Sequence, residues 1–137
     1  MTGGAGPVRD TAARLAGMSP VLSPERYVFV TTQDESLAAS ALATMREAEG
    51  LSLVLEAGRA AELGREGGAA MRLITLQVHS ALDGVGLTAA VAGALAARDI
   101  PCNMIAGFHH DHFFVPEARA EEALSALRAC QAAARKG

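Results

Sequence analysis

The stretch Arg72-Leu73-Ile74-Thr75-Leu76-Gln77-Val78-His79-Ser80-Ala81-Leu82-Asp83-Gly84-Val85-Gly86-Leu87-Thr88-Ala89-Ala90-Val91 decides how this chain is built. From Leu73 to Ser80 the residues alternate, Ile74, Leu76 and Val78 facing one way and Thr75, Gln77 and His79 the other. That period of two predicts a strand with one face in a core. Past Asp83-Gly84-Val85-Gly86 the period changes: Leu87, Val91, Ala94 and Leu95 share one side of a helix expected to run to about Arg98 and to stop before Pro101.

Downstream, Cys102 to Gly107 and His112 to Val115 read as two short strands, joined by a polar hairpin at His109-His110-Asp111. Pro116 fits the first position of a last helix, with Glu117, Glu121 and Glu122 loading its start and Arg128, Arg135 and Lys136 its end, as the macrodipole favours. Its buried stripe is Ala120, Ala123, Leu124, Leu127 and Cys130.

Upstream, the Gly64–Gly68 stretch breaks the pattern and marks a boundary. Before it, Tyr27 to Thr32 is a β-branched and aromatic run that reads as a buried strand. From Ser36, read as an N-cap, Leu37, Ala41, Leu42, Met45 and Ala48 recur at helical spacing, with Gly50 as the stop. Leu51, Leu53 and Leu55 then alternate as a second strand, followed by a short helix near Arg59 to Leu63. Arg46, Glu47 and Glu49 fall at the end of the expected first helix, where charges normally face solvent; the alternative is that Arg46 or Glu49 touches the second half or a ligand between the halves. Thr11 to Leu15 predicts one helical turn in a lead-in whose first eight residues are Gly-rich and expected to be disordered.

The expected fold is therefore α+β, two related units with helices on one face of antiparallel sheet: a lead-in over 1–18, an N-terminal unit over 19–67 and a C-terminal unit over 68–137. With 137 residues, half of them apolar, the chain can bury a core without staples. A net charge of -3 with scattered Lys and Arg offers no basic stripe, so nucleic acid is not expected as a partner. No apolar run approaches membrane-spanning length and the start lacks a signal-peptide pattern, so a cytoplasmic location and no membrane partner are expected. Cys102 and Cys130 lack CxxC spacing and read as reduced thiols. No Ser–His–acid or Cys–His arrangement stands out, and neither an enzyme nor a cofactor is expected.

Gly84-Val85-Gly86-Leu87-Thr88-Ala89 matches GxGxxA between a strand and a helix, literally a dinucleotide fingerprint. The rest of the chain argues against it, because a hairpin follows instead of further parallel βαβ units. The plain reading is a tight connection. The functional reading is that the turn aims the unpaired N–H groups of a helix start at a carboxylate, while Asn103, or Asp83 or Asp111, accepts from an ammonium group. Together these suit an α-amino acid.

These residues resemble the ACT domains, regulatory modules that bind amino acids. Arg72–Ser80 followed by Gly84-Val85-Gly86-Leu87-Thr88-Ala89 resembles the ACT glycine loop and first helix, and Asp99-Ile100-Pro101-Cys102-Asn103-Met104-Ile105 resembles the ACT second strand, with Asp99 in place of the usual glycine. Arg46–Leu55, His79-Ser80 and His109-His110-Asp111-His112-Phe113-Phe114-Val115-Pro116 are similar to stand-alone bacterial proteins with tandem ACT-like halves. The resemblance implies a ferredoxin-like sheet, a small-molecule ligand at Asp83, Gly84, Val85, Gly86, Asn103, Met104 and Ile105, a homodimer and a regulatory role. It also implies that the first half, or a second chain, completes the sheet of the second unit.

Three of the four histidines fall in His109-His110-Asp111-His112, and His79 precedes the glycine turn. Adjacent strand residues point to opposite faces, so only His110 with His112, or His109 with Asp111, share one, with His79 a possible third ligand. A metal site or metal-dependent activity is one alternative, a polar hairpin end the plainer one, and pH-dependent binding a third. A protein-interaction scaffold is a further alternative to the small-molecule reading.

Overall fold

The computed structural model describes residues 11–65, 68–77 and 86–136. The expected lead-in before Thr11, part of the Gly64–Gly68 break, and the strand end and turn that carry His79, Asp83, Gly84 and Val85 lie outside the described residues. The elements in order are α1 (Thr11–Gly17), β1 (Pro20–Thr32), a 3-10 turn (Glu35–Ser40), β2 (Ala43–Glu47), β3 (Gly50–Glu56), α2 (Ala57–Glu62), β4 (Met71–Leu76), α3 (Leu87–Ala96), β5 (Asn103–Ala106), β6 (Asp111–Pro116), a second 3-10 turn (Glu117–Arg119) and α4 (Ala120–Lys136).

The six strands form one antiparallel sheet in the order β2-β3-β1-β4-β6-β5. β1 is the strand that both halves use. Its second part, Tyr27 to Thr32, pairs with β3, while its first part pairs with β4 through Pro20, Val21 and Leu22. The register slips between Leu22 and Arg26. The guanidinium of Arg72 fixes that slip, its Nε and Nη2 donating to the Ser23 carbonyl at 3.0 and 2.8 Å. The first half therefore completes the sheet of the second within one chain.

Side-chain alternation divides the sheet into two faces. Leu22, Val28, Val30, Leu51, Leu53, Leu55, Ile74, Leu76, Phe113 and Val115 point to the helices. Ile74, Leu76, Phe113 and Val115 pack with Leu87, Val91, Leu95 and the Ala120–Leu127 stripe of α4, and Val28 and the three leucines of β3 pack with Ala60 of α2. Two helix ends are closed by side chains: Gln131 and Arg135 donate to the Ala16 carbonyl at the end of α1, and Arg119 donates to the carbonyls of Arg98 and Asp99 after α3.

The other face carries Tyr27, Phe29, Val54, Leu73 and Phe114. Val54, Leu73 and Phe114 are buried with Ala43, Met71 and Ile105 packed against them, although the helices lie on the opposite side. Their burial comes from curling of the sheet. Tyr27 and Phe29 meet Phe114 edge-on, with ring centroids 5.9 and 5.2 Å apart.

The helix expected from Ser36 is corrected. Asp34 rather than Ser36 caps the segment, its carboxylate accepting from the Ser36 N–H at 3.0 Å, and the turn is a short 3-10 helix. At Ala41 the backbone turns extended (φ -93, ψ 148), and Ala43 to Glu47 becomes an edge strand on β3. Pairing of backbone groups with β3 overrides a weak helical period built largely on alanine. Gly50 is not a helix stop: it starts β3, where an added Cβ would lie 2.9 Å from Gln33 Nε2 and 3.0 Å from the Thr32 carbonyl. Arg46 belongs to that edge strand and pairs with Glu35 at 2.6 Å, both exposed. The last helix also begins later than expected, since Pro116 closes β6 and the 3-10 turn at Glu117 precedes α4.

Candidate functional site

A flat sheet of six strands would hold its outer edges about 24 Å apart, five steps of about 4.8 Å each. Here the two outermost strands, β2 and β5, line one cleft of about 260 Å³. The sheet is curled so that these two edges face one another across the cleft. Its walls are Ala43, Thr44 and Met45 from β2, Ser52, Leu53 and Val54 from β3, and Asn103, Met104 and Ile105 from β5, with Phe29 of β1 between them. Consecutive strand residues point to opposite faces, so a wall made of three in a row includes main chain as well as side chains. As the outer strands among the described residues, β2 and β5 each carry a row of N–H and C=O groups that no other described strand takes up.

By register, the side chains on the cleft's face are Phe29, Ala43, Met45, Ser52, Val54, Asn103 and Ile105, two of them neutral and polar, while Thr44, Leu53 and Met104 belong to the helix-facing positions and line the cleft through main chain. Among the described lining residues none is charged. The Ser52 hydroxyl donates to the carboxylate of Glu47, which brings one negative group to the rim. A wider depression of about 360 Å³ lies at Pro24, Glu25, Arg26, Glu56, Ala57 and Gly58. It is open to solvent, and its Arg26 is already paired with Glu117 at 2.6 Å, so size alone does not make it the better site.

The sequence singled out Asn103, Met104 and Ile105, and the structure brings these three together on one wall. Gly86, the described member of the glycine turn, caps α3 with φ +101. The register places Asn103 beside Phe114 and so level with Leu73. Phe29, Ala43, Met45, Ser52 and Val54 were not anticipated as wall residues, because the helical reading of 36–50 hid β2. The signal was present in the alternation of Ala43, Met45 and Glu47 with Thr44 and Arg46.

The histidines take separate places. His109 and His110 occupy the β5–β6 hairpin, closed by the Gly107 N–H donating to the His110 carbonyl at 2.9 Å. The His109 ring stacks edge-on against Phe108. His110 Nδ1 is buried without a hydrogen-bond partner among the described residues. His112 lies on the curled face beside Ile105, its Nδ1 3.0 Å from Thr75 Oγ1. Burial, and then the nearby His110, push its pKa below the ordinary imidazole value, against the opposing pull of Asp111. Among the described residues, no group of three or more His, Cys, Asp or Glu side chains converges as a metal would require. Burial raises the pKa of the Cys102 thiol, the opposite of what an activated nucleophile needs.

Comparison with known proteins places this geometry. A family model described as ACT domain matches residues 8–72, and a second with the same description matches 69–129. No curated protein sequence matches the chain. Among solved structures, a Vibrio cholerae protein of unknown function, titled a possible transport protein, shares 46% identity with a TM-score of 0.77, over 85% of this chain and 92% of that one. The regulatory subunit of aspartate kinase from Thermus thermophilus superposes with a TM-score of 0.61 at 13% identity, over 83% of this chain and 97% of that one. E. coli aspartokinase III, in complex with aspartate and ADP, gives a TM-score of 0.61 at 16% identity, over 81% of this chain and 32% of that one. The two kinase likenesses are likenesses of fold.

Proposed function

The chain belongs to the ACT-domain family, with two such units in tandem, and from that premise we propose that it is a regulatory sensor whose ligand, an amino acid, sits in the cleft between β2 and β5. One observation carries this reading: residues from both halves, Met45 and Ser52 from the first and Asn103 to Ile105 from the second, enclose a single small cleft. A ligand held by both edges would tighten the curl of the sheet. Binding would thereby become a change in stiffness that a partner protein can read. The protein acts by binding rather than by catalysis in this proposal, as a homodimer in the cytoplasm. The backbone of Asp83, Gly84, Val85 and Gly86 remains a candidate anion donor in this proposal. No helix among the described residues is long and apolar enough to cross a membrane.

The test is a thermal-shift panel of the twenty amino acids. A ligand that binds only the folded chain raises its melting temperature by mass action. At least one amino acid is expected to do so, and Asn103→Ala to reduce that shift. A flat panel would remove the amino-acid reading.

A further inference from the structure

Resting on that amino-acid reading, we infer that the β2–β5 cleft selects an α-amino acid with an uncharged, apolar side chain, of the leucine, methionine or phenylalanine class, with its ammonium end turned toward Ser52 and Glu47. The apolar side chains on the cleft's face, Phe29, Ala43, Met45, Val54 and Ile105, leave a charged side chain no partner to replace its water. The side chains of Asn103 and Ser52 offer neutral donors and acceptors only. The volume of about 260 Å³ lies below the range of about 300 to 1,000 Å³ usual for drug-sized ligands, and so suits a molecule of amino-acid dimensions.

Among the described residues, no lysine or arginine lines the cleft to meet a carboxylate. The outward-facing N–H groups of the two edge strands supply donors in their place. At the other pole, the Ser52 hydroxyl is tied to the Glu47 carboxylate. An ammonium group there gains an ionic partner and a hydroxyl oxygen, whereas a second carboxylate is repelled. Aspartate and glutamate are thus disfavoured twice, by the apolar walls and by Glu47. Lysine and arginine are disfavoured by the walls.

Isothermal titration of the full chain with leucine, methionine, phenylalanine, aspartate and lysine tests this. The apolar three are expected to bind, each at least about tenfold more tightly than aspartate or lysine, since one missing or misplaced group in such a pocket is worth about that much. Met45 is 66% exposed on an edge strand, so Met45→Glu leaves the core untouched while placing a charge on the wall; it should weaken leucine binding about tenfold or more. Glu47→Gln should weaken leucine binding and leave N-acetyl-leucine unaffected, because the acetyl group removes the ammonium charge. Aspartate or lysine binding as tightly as leucine, an unchanged affinity in Met45→Glu, or N-acetyl-leucine binding as well as leucine would overturn the selectivity inferred here while leaving an amino-acid sensor standing. Failure of every amino acid to bind would remove both.

Discussion

Phe114 joins the two halves through its ring. It is fully buried on the face away from the helices and receives the edges of Tyr27 and Phe29 from the shared strand. Truncating it to alanine empties the inside of the curl, and Phe114→Ala should cost about 3 to 5 kcal/mol of stability, read by urea denaturation. Burial, and then His110, push the pKa of His112, on the same face, below the ordinary imidazole value. A histidine whose folded pKa lies below its unfolded value, about 6.5, leaves the unfolded chain binding more protons once pH falls. Its stabilising contribution is complete above about pH 6.5 and is lost as pH drops toward the depressed folded value. The urea midpoint of the native protein should therefore fall between pH 7.5 and 5.5 by more than that of His112→Asn, which keeps a polar atom near Thr75 but does not titrate. Equal falls in the two proteins would show that another group carries the acid sensitivity. Gly107 faces the same hairpin: an added Cβ would sit 3.1 Å from the His110 carbonyl and 3.2 Å from His112 Nε2. Gly107→Ala is expected to destabilise by about 1 to 3 kcal/mol through overpacking, measured the same way.

At the scale of elements, β1 is the strand on which the architecture turns. It pairs with β4 on both sides of its register slip and with β3 from Tyr27 onward, and Arg72 holds the slipped segment by its two bonds to the Ser23 carbonyl. Arg72→Met keeps the alkyl packing and removes the donors, so it should cost about 1.5 to 3 kcal/mol, the range for hydrogen bonds to charged groups. Amide exchange should rise first around Ser23, and an exchange pattern unchanged there would count against the clamp. The strands β3, β4 and β6 and the helices α3 and α4 were legible because Leu51, Leu53 and Leu55, Ile74 and Leu76, Leu87, Val91 and Leu95, and the Ala120–Leu127 stripe each bury one face with a clear period. The stretch from Ser36 to Gly50 was not. Its alanines suit either period, and only a neighbouring strand that needs a partner makes Ala43 to Glu47 extended.

For the whole molecule, the shared strand means that the second unit does not carry all of its own sheet. Residues 68–137 expressed alone would expose the edge of β4 that β1 covers, and should give an unfolded or aggregating species by circular dichroism and size exclusion, restored when residues 1–67 are supplied in trans. A folded monomer from that fragment would show that β4, β6 and β5 with their helices suffice.

By itself the sequence determined the class of the molecule: periods of two and of 3.6, glycine breaks and terminal charges are local, and they dictated an α+β chain of two related halves with helices on one side. Asn103 was marked by its own chemistry as an acceptor, and Met104 and Ile105 only by the resemblance to ACT domains. Only the tertiary structure decided that β2 exists, that β1 is common to both halves, and that the sheet rolls until its two outer edges share a cleft. Those outcomes rest on backbone pairing between residues far apart in the chain and on accumulated sheet twist, neither of which leaves a period in the sequence.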